Sequence, residues 1–295
     1  MHSPLPIFAL LLNALIWGLS WWPFRLMHDA GLHPLWATAF MYALVLVGLM
    51  ALRPGAVRQV WQYPVLILLA VSSGLNNVAF NWAVTVGDVV RVILLFYLMP
   101  AWAVLLAWKL LGEKPTPMAL LRLLLAFAGV VLVLLPADAS LAGLFSGLSL
   151  ADGLAVFGGF MFALTNVLLR RFQHIPAQAR MLAMFAGCMS MGLLSAVAAS
   201  TVGAVSGFPA LNADWLLVAV GLSVLLMLGN WALQFGAARL PSGVTSVVML
   251  SEVVFASVSS VLIAHETLSG RTLAGGALIM GAALLASLGN LRKQQ

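Results

Sequence analysis

Apolar runs of about 18 to 25 residues recur from one end of this chain to the other, and each is long enough to cross a hydrocarbon layer roughly 30 Å thick as a helix. Inside such a layer every backbone N–H and C=O must be satisfied by the protein itself, so only helices and closed barrels span it. A barrel would show alternating segments of about ten residues, and these runs do not alternate. The chain therefore reads as all-α, a polytopic membrane protein. Composition removes the soluble alternative: 7% of the 295 residues are charged, against roughly 25% in an ordinary soluble domain.

The formal net charge of +6 would raise the question of nucleic acid in a soluble protein. Here Lys and Arg sit singly or in pairs at the ends of apolar runs, where they act as topology signals, and no nucleic-acid partner is expected. The one cysteine, Cys188, permits no intramolecular disulfide and no cysteine cluster, and no metal or cofactor is expected. The first apolar run begins near residue 4, carries Trp17, Trp21 and Trp22, and meets no small-residue cleavage site, so it reads as a retained first span.

Breaks at Pro, Gly and charge clusters divide the chain into ten apolar segments, approximately 4–26, 34–52, 63–84, 89–110, 117–136, 149–169, 179–202, 213–236, 243–264 and 271–290. The longest polar-looking connection, around Pro136 to Ser149, separates two five-helix units, 1–138 and 149–295. Offsetting the sequence by 153 places superimposes the stretch Gly112-Glu113-Lys114-Pro115-Thr116 on His265-Glu266-Thr267-Leu268-Ser269, Asn77 on Asn230 and Asn81 on Gln234. An offset of 145 brings Trp17, Ser20 and Arg25 onto Phe162, Thr165 and Arg170. A repeat with an odd number of spans must enter the membrane from the opposite side the second time, so the two units form an inverted repeat.

With both termini on one side, that side receives Arg53, Arg58, Lys109, Lys114, Arg122, Arg170, Arg171, Arg180, Arg239, Arg292 and Lys293. The other side holds only Arg25, Arg91 and Arg271. The positive-inside rule then puts both termini in the cytoplasm of a multi-pass protein of the cell inner membrane.

Several stretches carry a resemblance: Trp17-Gly18-Leu19-Ser20; Pro100 and the helix running into Leu111-Gly112-Glu113-Lys114-Pro115-Thr116; Leu250-Ser251-Glu252 through Phe255-Ala256 to His265-Glu266; Gly129; and the small-residue pattern of span 10. In these the chain resembles the ten-span EamA-type branch of the drug/metabolite transporter superfamily, over nearly its whole length. The abundance of tryptophan and the Trp-Trp-Pro-Phe-Arg stretch look most like bacterial exporters of aromatic and other amino acids. The resemblance implies a central cavity enclosed by spans 1–4 and 6–9, with spans 5 and 10 outside it. Two positions depart from the pattern: Val253 stands where the family often has Pro, and span 2 carries Tyr42 where Arg is frequent.

Polar side chains deep in a membrane helix are costly unless they face protein or water, and so mark a pathway. Asn77 and Asn81 in span 3 are four apart, as are Asn230 and Gln234 in span 8, so each pair shares a helix face. Such amides could bind an amino group and a carboxylate together, or could hold the bundle by interhelical hydrogen bonds worth about 0.6 kcal/mol each. Asn13, Trp17, Trp21 and Arg25 repeat every four residues in span 1, and span 6 answers with Phe162, Asn166 and Arg170. With Tyr97 and Trp102 in span 4 they form either an aromatic wall for substrate or an interfacial belt, the latter fitting Trp22, Trp61 and Trp215 better.

Glu252 is the one acidic residue near the middle of any span, where an ionised carboxylate costs about 3 kcal/mol. It is a candidate proton carrier, a counter-charge for a substrate amine, or a hydrogen-bonding strut. Pro100 removes a backbone hydrogen bond in span 4 and is a candidate hinge or a passive kink. Glu113 and Glu266 end spans 4 and 9 as caps or ion-pair partners. Gly275, Gly276, Gly281, Ala282 and Gly289 let span 10 approach span 5 or a second subunit.

These features point to a secondary transporter exporting amino acids, aromatic and other amphipathic small metabolites, as a monomer or weak homodimer among membrane lipids. A multidrug or other metabolite exporter of the same fold is the alternative, and an integral membrane enzyme is a remoter one. Against catalysis stand the lack of a histidine deep in any span, of paired carboxylates within the bilayer, and of G-x-S-x-G or H-E-x-x-H. No P-loop is present, so transport must draw on a gradient.

Overall fold

The computed structural model describes residues 4–52, 55–112, 114–134, 147–237, 239–240 and 248–292, and the regular structure among them is entirely helical. The first crossing is built from α1 (Leu5–Leu19) and α2 (Trp21–Asp29), interrupted at Ser20. There the Ser20 N–H and hydroxyl both donate to the Trp17 carbonyl, at 3.1 and 2.7 Å, and Pro23 has no N–H to continue the ladder. α3 (Pro34–Leu52) returns across the layer. A short helix, α4 (Gly55–Trp61), which the apolar pattern does not anticipate, leads into α5 (Leu66–Val86). The fourth crossing is again two helices, α6 (Val89–Phe96) and α7 (Met99–Leu111), and α8 (Pro117–Leu134) closes the first half.

The second half runs through α9 (Leu150–Arg171), α10 (Ala177–Thr201), α11 (Ala213–Ala237), α12 (Ser251–Ile263) and α13 (Gly270–Arg292). Among the described residues seven helical stretches, the α1–α2 and α6–α7 pairs each counted as one, are long and apolar enough to cross a membrane. Shorter apolar helices occupy 117–133 and 251–263. The expected linker between residues 138 and 149 falls largely outside the described residues, as do Arg53, Glu113 and Lys293.

The packing has the symmetry that two repeats require. α1 packs on α11 as α9 packs on α5, and α1 packs on α12 as α9 packs on α6 and α7. α3 meets α10, α6 meets α12 and α8 meets α13, each crossing touching its own counterpart. A pseudo-two-fold axis relates the halves, and five crossings per half place it in the membrane plane.

Lipid is as apolar as leucine, so helices associate here by close backbone approach rather than by a hydrophobic drive. Gly129 of α8 and Gly275 of α13 are reciprocal: a Cβ on either would lie 2.6 Å from the other's carbonyl oxygen. At Gly187 of α10 a Cβ would run into the Ala70 carbonyl of α5. A Gly129→Val replacement should therefore push α8 off α13 at a cost of about 1–3 kcal/mol. We expect a clearly lower melting temperature in detergent, whereas Gly281→Ala, where a Cβ meets nothing, should leave it unchanged.

Candidate functional site

The site begins with two interruptions in helices. α6 ends at Phe96, the chain turns through Tyr97 and Leu98, and α7 starts at Met99 with Pro100 in its first turn. Pro100 has no N–H to give the Phe96 carbonyl, and that carbonyl packs where a Cβ on Gly159 would sit, 2.5 Å away. In the second half the chain turns at Leu250 into α12. The Ser251 hydroxyl donates to the Val248 carbonyl at 2.7 Å and Val253 N–H to Leu250 at 3.2 Å. Leu250 stands 153 positions after Tyr97, so the two breaks are repeat equivalents. The second break forms without the proline that the family often places at 253.

A cavity of about 250 Å³ lies where these breaks meet, and its lining comes from eight crossings with no contribution from α8 or α13. One wall is aromatic: Phe96 stands 4.7 Å from Phe80 and 5.5 Å from Phe162, ring centre to ring centre, with Trp17 and Tyr97 beside them. The Tyr97 hydroxyl and the Glu252 carboxyl both line the cavity, one from each broken crossing. In the same lining the Tyr42 hydroxyl donates to Asn77 Oδ1 at 2.6 Å, and Asn77 Nδ2 donates to the Ser73 carbonyl at 2.9 Å. Asn13 and Asn76 also line the space, each with a buried side-chain oxygen that has no partner.

Of the residues that the sequence singles out, the structure brings together Trp17, Asn77, Tyr97, Phe162, Asn230 and Glu252 in this one cavity. Trp21 lies one turn away, buried, its indole N–H on Ser259 Oγ at 3.0 Å. Asn81 is buried and donates to Thr38 Oγ1 at 3.0 Å. Trp102 packs edge-on against Phe127 and Phe160, outside the cavity. Asn166 is exposed and donates to its own Phe162 carbonyl. The side chains of Gln234 and Pro100 lie outside the described residues. Sequence reasoning passed over Asn76, Ser73, Thr165 and Cys188, and noted Tyr42 only as a departure. The signal for Tyr42 and Asn76 was present, since one is the lone hydroxyl of mid-span 2 and the other adjoins Asn77.

One face of the bundle is shut above the cavity. A turn toward that face from the lining, Trp21, Ala83, Val92, Ala155 and Ala256 are all 2% exposed or less. Beyond them Arg25 reaches from the first crossing to Glu266 at 3.1 Å and to the Gly87 carbonyl, its guanidinium 4.9 Å above the Trp21 ring. Glu266 also accepts from the Val89 N–H at the start of α6, through both oxygens, so it is cap and ion-pair partner at once. Arg91 grips Asp152 by two bonds, 2.7 and 2.9 Å, and Asp152 closes a capping box with Ser149 at the start of α9. Asp88 caps α6 by accepting from Arg91 N–H. Burial and the facing Glu266 carboxylate hold its carboxyl above the usual range, against the pull of that bond.

Charge-assisted bidentate pairs of this kind are strong, and removing one partner leaves the other buried and uncompensated. Asp152 has a 3% exposed side chain, so Arg91→Ala should cost about 3–5 kcal/mol. Asp152→Asn added to it should recover part of the loss, because an amide oxygen at 152 can still accept from the Ser149 N–H of the capping box without a charge. Thermal unfolding of the three proteins in detergent measures this. A double variant no more stable than Arg91→Ala would contradict the ion-pair account.

The model of the EamA-like transporter family matches residues 4–135 and 149–288, one stretch in each half. A solved structure described only as "Crystal structure of protein" shares the fold over 100% of both chains, with a TM-score of 0.62 and 21% sequence identity. No curated protein matches the chain.

Proposed function

Because the chain belongs to the EamA-like transporter family, we propose that it exports amino acids, aromatic ones and other small amphipathic metabolites among them, by alternating access around the central cavity. The observation that carries this reading is the position of the cavity: it sits between two symmetry-related halves, at the breaks of the fourth and ninth crossings. Broken helices at the repeat interface are where inverted-repeat transporters bind their cargo. Trp17, Tyr97 and Phe162 supply the stacking wall, and Asn77, Asn230 and Glu252 the polar contacts. Trp21, Asn81, Trp102 and Asn166 lie off the lining and take structural roles in this reading.

The surplus of Lys and Arg at the opposite face puts that face and both termini in the cytoplasm of an inner-membrane protein. The Arg25–Glu266 face is then the outer one, and the arrangement is the inward-facing state. Rocking one half against the other, with Pro100 near the pivot, would part the outer pairs and close the cytoplasmic side.

Trp17→Ala removes stacking surface worth about 0.5–1.5 kcal/mol. In vesicles holding the purified protein it should slow flux of phenylalanine or tryptophan about 2- to 10-fold while sparing threonine. Equal loss for both classes would sink the aromatic wall.

A proton-coupled version of the mechanism is favoured by one placement, the Glu252 carboxyl in the lining of the cavity beside Tyr97, where it could exchange a proton with the space that cargo enters. Gln keeps shape and hydrogen bonding but carries no exchangeable charge. Glu252→Gln should abolish uptake driven by a pH gradient into inside-out vesicles while downhill exchange survives. Accumulation equal to wild type would make the protein a facilitator.

A further inference from the structure

The lining of the cavity bears one formal charge, and that charge is negative. Glu252 is its sole carboxyl, and no Lys, Arg or His stands among the described residues that line it. The undescribed stretch 241–247, Pro-Ser-Gly-Val-Thr-Ser-Val, and Gln234 add no charge. Two cations near its rim belong to other sites. Arg25 is engaged by Glu266 and the Gly87 carbonyl, and Arg122 lines a separate void of about 20 Å³ behind Tyr97.

Several donors are already used: Tyr42 on Asn77, Asn77 on Ser73, and Thr165 on the Met161 carbonyl. The buried oxygens of Asn13 and Asn76 accept nothing. Buried acceptors without a partner are rare in folded proteins, and these two belong to residues of the lining that Glu252 shares. An ammonium supplies three N–H donors, and the faces of Trp17, Tyr97 and Phe162 attract a cation further. A carboxylate entering the same space would meet no cation and would face Glu252, so its desolvation would go uncompensated.

We propose that the cavity recognises its cargo by the amine and is selective for small amphipathic organic monocations, taking amines and amino-acid esters more tightly than the parent zwitterions. This rests on reading the cavity as the transport site and narrows the cargo that site prefers. The volume of about 250 Å³ falls below the roughly 300–1,000 Å³ of pockets for drug-sized ligands, which fits a single-ring amine and excludes bulky drugs.

Equilibrium binding to the purified full-length protein in detergent avoids the passive leak of amines through vesicles. Four probes share one phenyl ring and differ in charge: phenethylamine, phenylalanine methyl ester, phenylalanine and 3-phenylpropionate. We expect the two cations to bind at least tenfold tighter than phenylalanine and the anion not to compete. Glu252→Gln should erase that preference. Should it fail to fold, Asn76→Asp carries the test, because a second negative charge in the cavity must widen the preference. Phenylalanine binding as tightly as phenethylamine, competition by 3-phenylpropionate, or a preference that survives Glu252→Gln would overturn the proposal. Phenylalanine counterflow in vesicles separates the two levels: flux without cation preference defeats this inference alone, whereas no flux and no binding of any probe defeats the transport reading with it.

Discussion

Two membrane crossings interrupt their own hydrogen-bond ladders at equivalent depth, and the rest of the bundle is arranged around that fact. In hydrocarbon an interrupted backbone is tolerated only where protein or a water-filled space surrounds it. The breaks at Tyr97–Leu98 and at Leu250 are enclosed by the opposite half, and glycines lie where their carbonyls point. Gly159 stands against the Phe96 carbonyl, and a Cβ on Gly18 would lie 2.8 Å from the Glu252 carbonyl. Each break turns a side chain toward the middle, and Tyr97 and Glu252 both line the cavity there. The cavity follows from the breaks, and the proposed alternation between faces draws on the symmetry that put a break in each half.

Charge is distributed by the same logic. Five of the acidic residues, Asp29, Asp88, Asp152, Asp214 and Glu266, fall at the ends of crossings that alternation assigns to the Arg25 face. Two of them join crossings that a rocking motion would have to part: Glu266 holds the first and fourth and Asp152 the fourth and the start of α9, while Asp88 caps α6. These contacts are strong because they are partly sheltered, yet they remain at the water boundary, where an ion pair can exchange its partner for solvent at modest cost.

The fold was legible because its signal is long-range and redundant. Runs of about 20 apolar residues can cross a bilayer in few ways, and the offsets of 145 and 153 recur where the packing later shows the repeats. The site was legible only in part, for a geometric reason. Trp17 and Trp21 share a face in an unbroken helix, but the turn at Ser20 falls between them, so Trp21 meets Ser259 instead of the cavity. Trp102 lies beyond the break at Tyr97–Leu98, which resets the rotation of α7 and points it at Phe127 and Phe160. Asn81 shares a face with Asn77 but sits a turn higher, level with Thr38. Pro100 announces the first break, whereas nothing at Val253 announces the second. Periodicity places residues on faces, and only the breaks decide which stretch of a face looks inward.

The central claim is that the ion-paired face must open for cargo to pass. The direct test joins that face covalently: cysteines at 25 and 266 in a Cys188→Ser background, linked by a short bifunctional reagent that reduction cleaves, in vesicles containing only this protein. The account predicts that the linked protein still binds phenylalanine but stops its flux, and that reduction restores the flux. Linked protein that transports at the unlinked rate would contradict it.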